Sequence, residues 1–201
     1  TSTSPTMSCR RWPSDDGFAL MNEVTGRVIL GLDPGTASTG FGVISVVGSR
    51  LRAVEYGVVE TVAGLALERR LEKIYCDVGD ILKRHQPVAT AVESLFFNAN
   101  VRTAFAVGQA RGVTLLACSQ VGCEVYEYTP QQIKQAVVGY GKASKGQVME
   151  MVRVLLGMAE TPRPDHAADA LGVAICHANS SGVLERVARS EAALAARRRP
   201  R

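Results

Sequence analysis

Acidic and basic side chains are segregated along this chain in a way that suits work on a phosphate. Asp33, Glu93, Asp165 and Asp169 come from distant stretches, whereas residues 128–149 carry Lys134, Lys142 and Lys145 and no acid. A basic surface beside an acidic cluster fits a polyanion whose phosphate is presented to a bound metal ion. His166 and Asp169 are three apart and would share a face if they lie on a helix. Plainer readings stand beside this one. Asp33 opens the turn Asp33-Pro34-Gly35, where a carboxylate accepts backbone hydrogen bonds and Pro and Gly supply the dihedrals. The lysines alone would suit a solvated helix face.

The elements that must position these residues follow from hydrophobic periodicity. The apolar run 28–33 ends abruptly at Asp33 before Pro34 and Gly35, the pattern of a buried strand with a carboxylate at its carboxyl end. Residues 40–47 read as a second strand and, after the Gly48-Ser49 turn, residues 51–61 as a third, which makes an antiparallel meander. Over 65–85 the period changes: Leu67, Leu71, Ile74, Val78, Ile81 and Leu82 recur at helical spacing, opposite Glu68, Arg69, Glu72, Lys73 and Asp80. Pro87 ends this helix, and residues 88–93 form a fourth strand that again stops at a carboxylate, Glu93. A strand reached through a crossover helix runs parallel to an earlier one. Paired with the first strand, it brings Glu93 to the rim that holds Asp33.

Residues 100–119 read as a second helix and 123–128 as a fifth strand. Gly108 and Gly112, four apart on that helix, allow close packing, within a dimer or on the sheet. Thr129-Pro130-Gln131-Gln132 has the form of a capping box with Pro at the first helical position, opening a helix that reaches Val138 before Gly139-Tyr140-Gly141 breaks it. A further helix is expected over 147–156. The loop Thr161-Pro162-Arg163-Pro164 opens a final one, from about Asp165 to Ala178.

Composition bounds the rest. The chain has 201 residues, 46% hydrophobic and 21% charged, enough for one full core. Residues 1–26, rich in Ser, Thr and Pro, read as a disordered extension, 27–179 as the folded domain, and 180–201 as a basic, disordered tail or at most a marginal helix, ending in Arg197, Arg198, Arg199 and Arg201. No apolar run approaches the roughly 18 to 20 residues that cross a bilayer, and the beginning lacks a secretory segment, so a cytoplasmic protein without a membrane partner is expected. Five cysteines without a Cys-x-x-Cys pair argue against a disulfide framework and a zinc ribbon.

Five short segments, in this order and without a large insertion over 27–179, resemble one family. They are Leu30-Gly31-Leu32-Asp33-Pro34-Gly35, Val92-Glu93-Ser94-Leu95-Phe96, Gly108-Gln109-Ala110-Arg111-Gly112, Lys134-Gln135-Ala136-Val137-Val138-Gly139 and Ala167-Ala168-Asp169-Ala170-Leu171. The motifs are similar to those of the RuvC Holliday-junction resolvases, and the order of elements to the ribonuclease H-like superfamily. The resemblance implies an α/β fold of the ribonuclease H-like type. Its sheet would be five-stranded and mixed, three antiparallel strands plus two parallel, flanked by helices.

The resemblance also implies a metal-dependent DNA endonuclease, a homodimer acting on four-way junctions with a branch-migration motor, that nicks two strands of like polarity. By position Asp33, Glu93 and Asp169 match catalytic acids of the family. The remaining position falls on His166, where many members carry Asp and some relatives His. Asp165, offset by about 100° around a helix, is the weaker match and would instead stabilise the helix N-terminus. Lys145 matches a lysine beside the scissile phosphate, Lys134, Arg111 and Lys142 look like backbone contacts, and Phe96 matches an aromatic at the junction core that stacks on an unpaired base. Two Mg²⁺ or Mn²⁺ ions per site, held by Asp33, Glu93, His166 and Asp169, would carry in-line hydrolysis. A neutral imidazole among the ligands favours Mn²⁺.

Two other classes share parts of this pattern. Actin-like ATPases also open with a strand and an Asp-x-Gly-Thr hairpin, as Asp33-Pro34-Gly35-Thr36 does, but they clamp nucleotide between two such domains, for which 201 residues leave no room. A ribonuclease H-like nuclease acting on structured RNA is nearer, because fold does not determine substrate.

Overall fold

The computed structural model describes the backbone of residues 26–94 and 101–197, with the side chains of 26–94 and 104–181. A five-stranded sheet runs in the order β3-β2-β1-β4-β5, built from β1 (Arg27–Asp33), β2 (Ser38–Val47), β3 (Arg50–Glu60), β4 (Ala89–Glu93) and β5 (Val125–Tyr128). The first three strands are antiparallel neighbours, and β4 and β5 continue parallel to β1, as the crossover through a helix requires. Alternation along β1 sends Ile29 to one face and Leu30 and Leu32 to the other, and all three are buried.

Helices cover both faces. On one side α1 (Leu67–His85) and α2 (Val101–Gln120) pack Ile74, Val78, Leu82, Ala110 and Ala117 against Leu30, Leu32, Val43 and Val92. On the other, α3 (Pro130–Val138), α4 (Lys145–Leu156) and α5 (Asp165–Arg197) enclose Ile29, Ile44 and Val46 with Ile133, Val152, Leu171 and Ile175. Cys118, Cys123 and Cys176 are free and buried, and burial first of all pushes the Cys118 thiol up to about 12. Among the described residues no helix is long and apolar enough to cross a membrane.

Three boundaries differ from expectation for identifiable reasons. α4 starts at Lys145 rather than at 147, because Ser144 and Gln147 form a full capping box. α1 starts at Leu67 rather than at 65, because Ala66 at its N-cap is extended, and it ends at His85 as expected, through a left-handed Gln86 ahead of Pro87. The final helix does not stop near Ala178 but runs on to Arg197; the stretch expected as a disordered tail is rich in Ala, Leu, Glu and Arg, the strongest helix formers, and its backbone is helical through 197.

The seat of α5 on the sheet is glycine-lined. A Cβ on Gly31 would fall inside the Ala170 carbonyl oxygen and lie 2.7 Å from the Ala174 nitrogen, and one on Gly40 would meet the His166 carbonyl. One on Gly42 would meet Leu171 at 2.8 Å. Backbone cannot fold aside as a side chain can, so Gly31→Ala is expected to lift α5 and cost about 3 kcal/mol, seen as a lower urea midpoint with an unchanged slope. A midpoint matching the wild type would mean that the helix has slack at this crossing.

Candidate active site

The site is built at the carboxyl ends of β1 and β4. Leu32 is in register with Val92, so the next residues, Asp33 and Glu93, emerge side by side on one rim. On β2, Gly40 is paired with Asp33 and lies beneath His166, which carries the first turn of α5 over the strand end. His166 Nδ1 is 2.7 Å from Asp33 Oδ2. One ligand atom each from Asp33, His166 and Asp169 lie within 4.8 Å of one another.

Side chains from neighbouring elements brace the turn after Asp33. Thr39 Oγ1 donates to the Gly35 carbonyl at 2.8 Å, Thr61 Oγ1 donates to the Thr36 carbonyl at 2.6 Å, and Arg70 Nε holds Thr61 at 2.8 Å. The carboxylate of Asp33 meets His166 instead. Sequence reading missed this clamp, whose one legible sign is the run of Thr36, Thr39 and Thr61 around the hairpin ends.

Electrostatically the acids strain against one another. Burial, then the charges of Asp33 and Asp169, push the Glu93 carboxyl up to about 7, against the pull of Lys145 and Lys134. Asp169 is likewise held above the ordinary carboxylate range, by burial first, although Lys145 draws it down. Such a cluster calls for a cation. Lys145 supplies part of it: its ammonium is 3.1 Å from Asp165 Oδ2 and 3.1 Å from Asp169 Oδ2. Burial opposes that charge, but the two hydrogen bonds outweigh it and raise the lysine pKa.

The other basic candidates fall in different settings. Lys134, half-buried on α3, stands near enough for its charge to act on Glu93. Lys142 is exposed in the turn between α3 and α4. Arg111 is 20% exposed and its guanidinium is 2.5 Å from Glu127, so it ties α2 to β5. Phe96 lies outside the described residues.

The donor set fits a hard divalent ion. Two carboxylates and one imidazole converge, from Asp33, Asp169 and His166, while Glu93 stands outside that group, near enough for their charges to act on it; the oxygens suit Mg²⁺ or Mn²⁺, and the nitrogen tilts the preference toward Mn²⁺. The raised Glu93 carboxyl, held up by burial first and then by the charges of Asp33 and Asp169, is consistent with such an ion, whose charge would offset both.

Comparisons with known proteins agree in direction. The family described as crossover junction endodeoxyribonuclease RuvC matches residues 29–177. A relative of that name from Rubrobacter xylanophilus is 54% identical over 161 residues, covering 80% of this chain and 90% of the relative. Another from Heliobacterium modesticaldum is 57% identical over 153 residues, covering 76% and 94%. Among solved structures, Thermus thermophilus RuvC in complex with a Holliday junction substrate superposes with a TM-score of 0.74 at 40% identity, covering 77% of this chain and 94% of that one.

Proposed function

Because this chain belongs to the RuvC family of crossover junction endodeoxyribonucleases, we propose that it resolves four-way DNA junctions by paired hydrolytic nicks at the rim formed by Asp33, Glu93, His166 and Asp169. The observation that carries this reading is the convergence of Asp33, His166 and Asp169 from opposite ends of the domain onto one point. The homologous enzyme solved with a Holliday junction supports the substrate. The enzyme works in recombination and repair, in the cytoplasm where such DNA lies, with junctions delivered by a branch-migration motor.

Two divalent ions per site, Mg²⁺ or Mn²⁺, would be held by Asp33, Glu93, Asp169 and His166; when bound they activate water and neutralise charge on the attacking and leaving oxygens. Asp33 is central, since it sits between β4's acid and α5's pair. His166 is fixed by its contact with Asp33, which orients the ring before substrate arrives. Lys145 places a cation where negative charge grows on the scissile phosphate. Lys134 and Lys142 take neighbouring phosphates, and Phe96, three residues beyond Glu93, stacks on an unpaired base at the junction core.

Paired nicks need two sites. Phe105 and Leu116 are 69% and 50% exposed on α2, and Gly108 and Gly112, on the same helical face, have nothing among the described residues within 4 Å of where a Cβ would stand. The sheet therefore does not use these glycines, and we assign the stripe to a two-fold contact with a second copy.

The test is cleavage of a synthetic mobile four-way junction beside linear duplex, single-stranded DNA and structured RNA, with Mg²⁺, Mn²⁺ or chelator. Symmetric paired nicks in the junction alone, lost with chelator and at least as fast in Mn²⁺ as in Mg²⁺, are expected. Cleavage confined to RNA, or junction binding without cleavage in either metal, would overturn the reading.

A further inference from the structure

Asp165 is adjacent to His166 in sequence but does not join the converging ligand atoms. Its carboxylate turns to Lys145, at 3.1 Å, and shares the ammonium with Asp169. Lys145 occupies the first position of α4, where a cation meets the positive end of its own helix and is disfavoured. The acids of α5 therefore hold it in place.

The two acids are not equivalent. Asp169 belongs to the group whose ligand atoms lie within 4.8 Å of one another, so its carboxylate is the one a divalent ion would take. Asp165 is free to keep the lysine. We propose that Asp165 is a positioning residue that retains the Lys145 ammonium at the mouth of the acidic cluster when Asp169 serves as a metal ligand. The inference rests on the role given to Lys145 above. It also separates rate from stability. The side chains of Lys145 and Asp165 are 51% and 57% exposed, and exposed ion pairs add little to folding, whereas a small displacement of a charged group from the reacting phosphate is felt strongly in rate.

Three variants test it in the full chain: Asp165→Asn, Lys145→Ala and both together. Single-turnover junction cleavage in saturating Mn²⁺ is compared with calorimetric Mn²⁺ titration and with thermal unfolding without metal. Asp165→Asn is expected to slow cleavage about 10-fold, and to cost less than about 2-fold once Lys145 is already Ala. Mn²⁺ affinity and melting temperature should stay near wild type. The same loss in both backgrounds would overturn the proposal, because Asp165 would then act without Lys145. Weakened Mn²⁺ binding in Asp165→Asn would overturn it by making Asp165 a ligand, and full activity of that variant would overturn it directly. Should Lys145→Ala itself cleave normally, the role of Lys145 fails and the anchor fails with it; a slow Lys145→Ala beside a normal Asp165→Asn sinks the anchor alone.

Discussion

Asp33→Asn is expected to lower single-turnover junction cleavage by at least about 10³-fold while leaving junction binding unchanged or tighter. The substitution keeps shape and removes charge. An amide oxygen is a poor substitute for a carboxylate as a hard ligand, and Asp33 also orients His166 through the 2.7 Å contact with Nδ1, so one change disturbs two members of the site. Binding should not suffer, since removing a negative charge from a surface that faces phosphates lessens repulsion. Metal-dependent nicking by Asp33→Asn within 10-fold of wild type, a bound set by the scale of such losses, would remove Asp33 from the centre of the mechanism.

Glu93→Gln should act in opposite directions on catalysis and on the metal-free fold. Cleavage is expected to fall, by about 10²-fold or more, as the ligand proposed above is lost. Stability rises. The folded-state pKa of Glu93 is pushed up from 4.5 to about 7, so the native protein binds this proton more tightly than the unfolded chain does. On account of this group, stability is highest below the unfolded value, declines as pH climbs through the interval up to about 7, and reaches its full penalty above it. That penalty is on the order of 3 kcal/mol, and Gln, which cannot ionise, escapes it. Urea unfolding in chelator should therefore show the Gln variant gaining on wild type between pH 5 and pH 8 and holding its lead above that. A difference that is flat with pH would mean that Glu93 titrates normally. Added Mn²⁺ should reverse the order, because a ligand that binds the native state stabilises it in proportion to its affinity.

Much of this arrangement was legible because it depends on short-range pattern and one topological rule. The run ending at Asp33, the helical period of Leu71, Ile74 and Val78, and the strand ending at Glu93 together require a parallel pair, and the register of Leu32 with Val92 follows. The box at Thr129 and Gln132 marked α3 correctly. The same signature at Ser144 and Gln147 passed unnoticed, and with it the placement of Lys145 at a helix start. What sequence could not give were contacts set by register between distant elements. The pairing of Arg111 on α2 with Glu127 on β5 is one such contact. Gly31, Gly40 and Gly42 look like ordinary strand glycines until the pairing of β1 with β2 aligns them under α5. The stretch beyond 180 reads as a disordered tail or at most a marginal helix from its charge, and its Ala and Leu content favours the helix that its backbone adopts as far as Arg197.

The bare glycine track under α5 bears on which ions the site accepts. Because main chain rests on main chain there, the gap between Asp33 and the pair on α5 is fixed by atoms that have no rotamers. A rigid gap discriminates by ionic radius: oxygen ligands sit about 2.0–2.1 Å from Mg²⁺ but about 2.3–2.6 Å from Ca²⁺, and a frame that cannot widen disfavours the larger ion. Size selectivity would then reside in three residues that touch no metal, and lengthening them by a methyl group would loosen it without altering a single ligand.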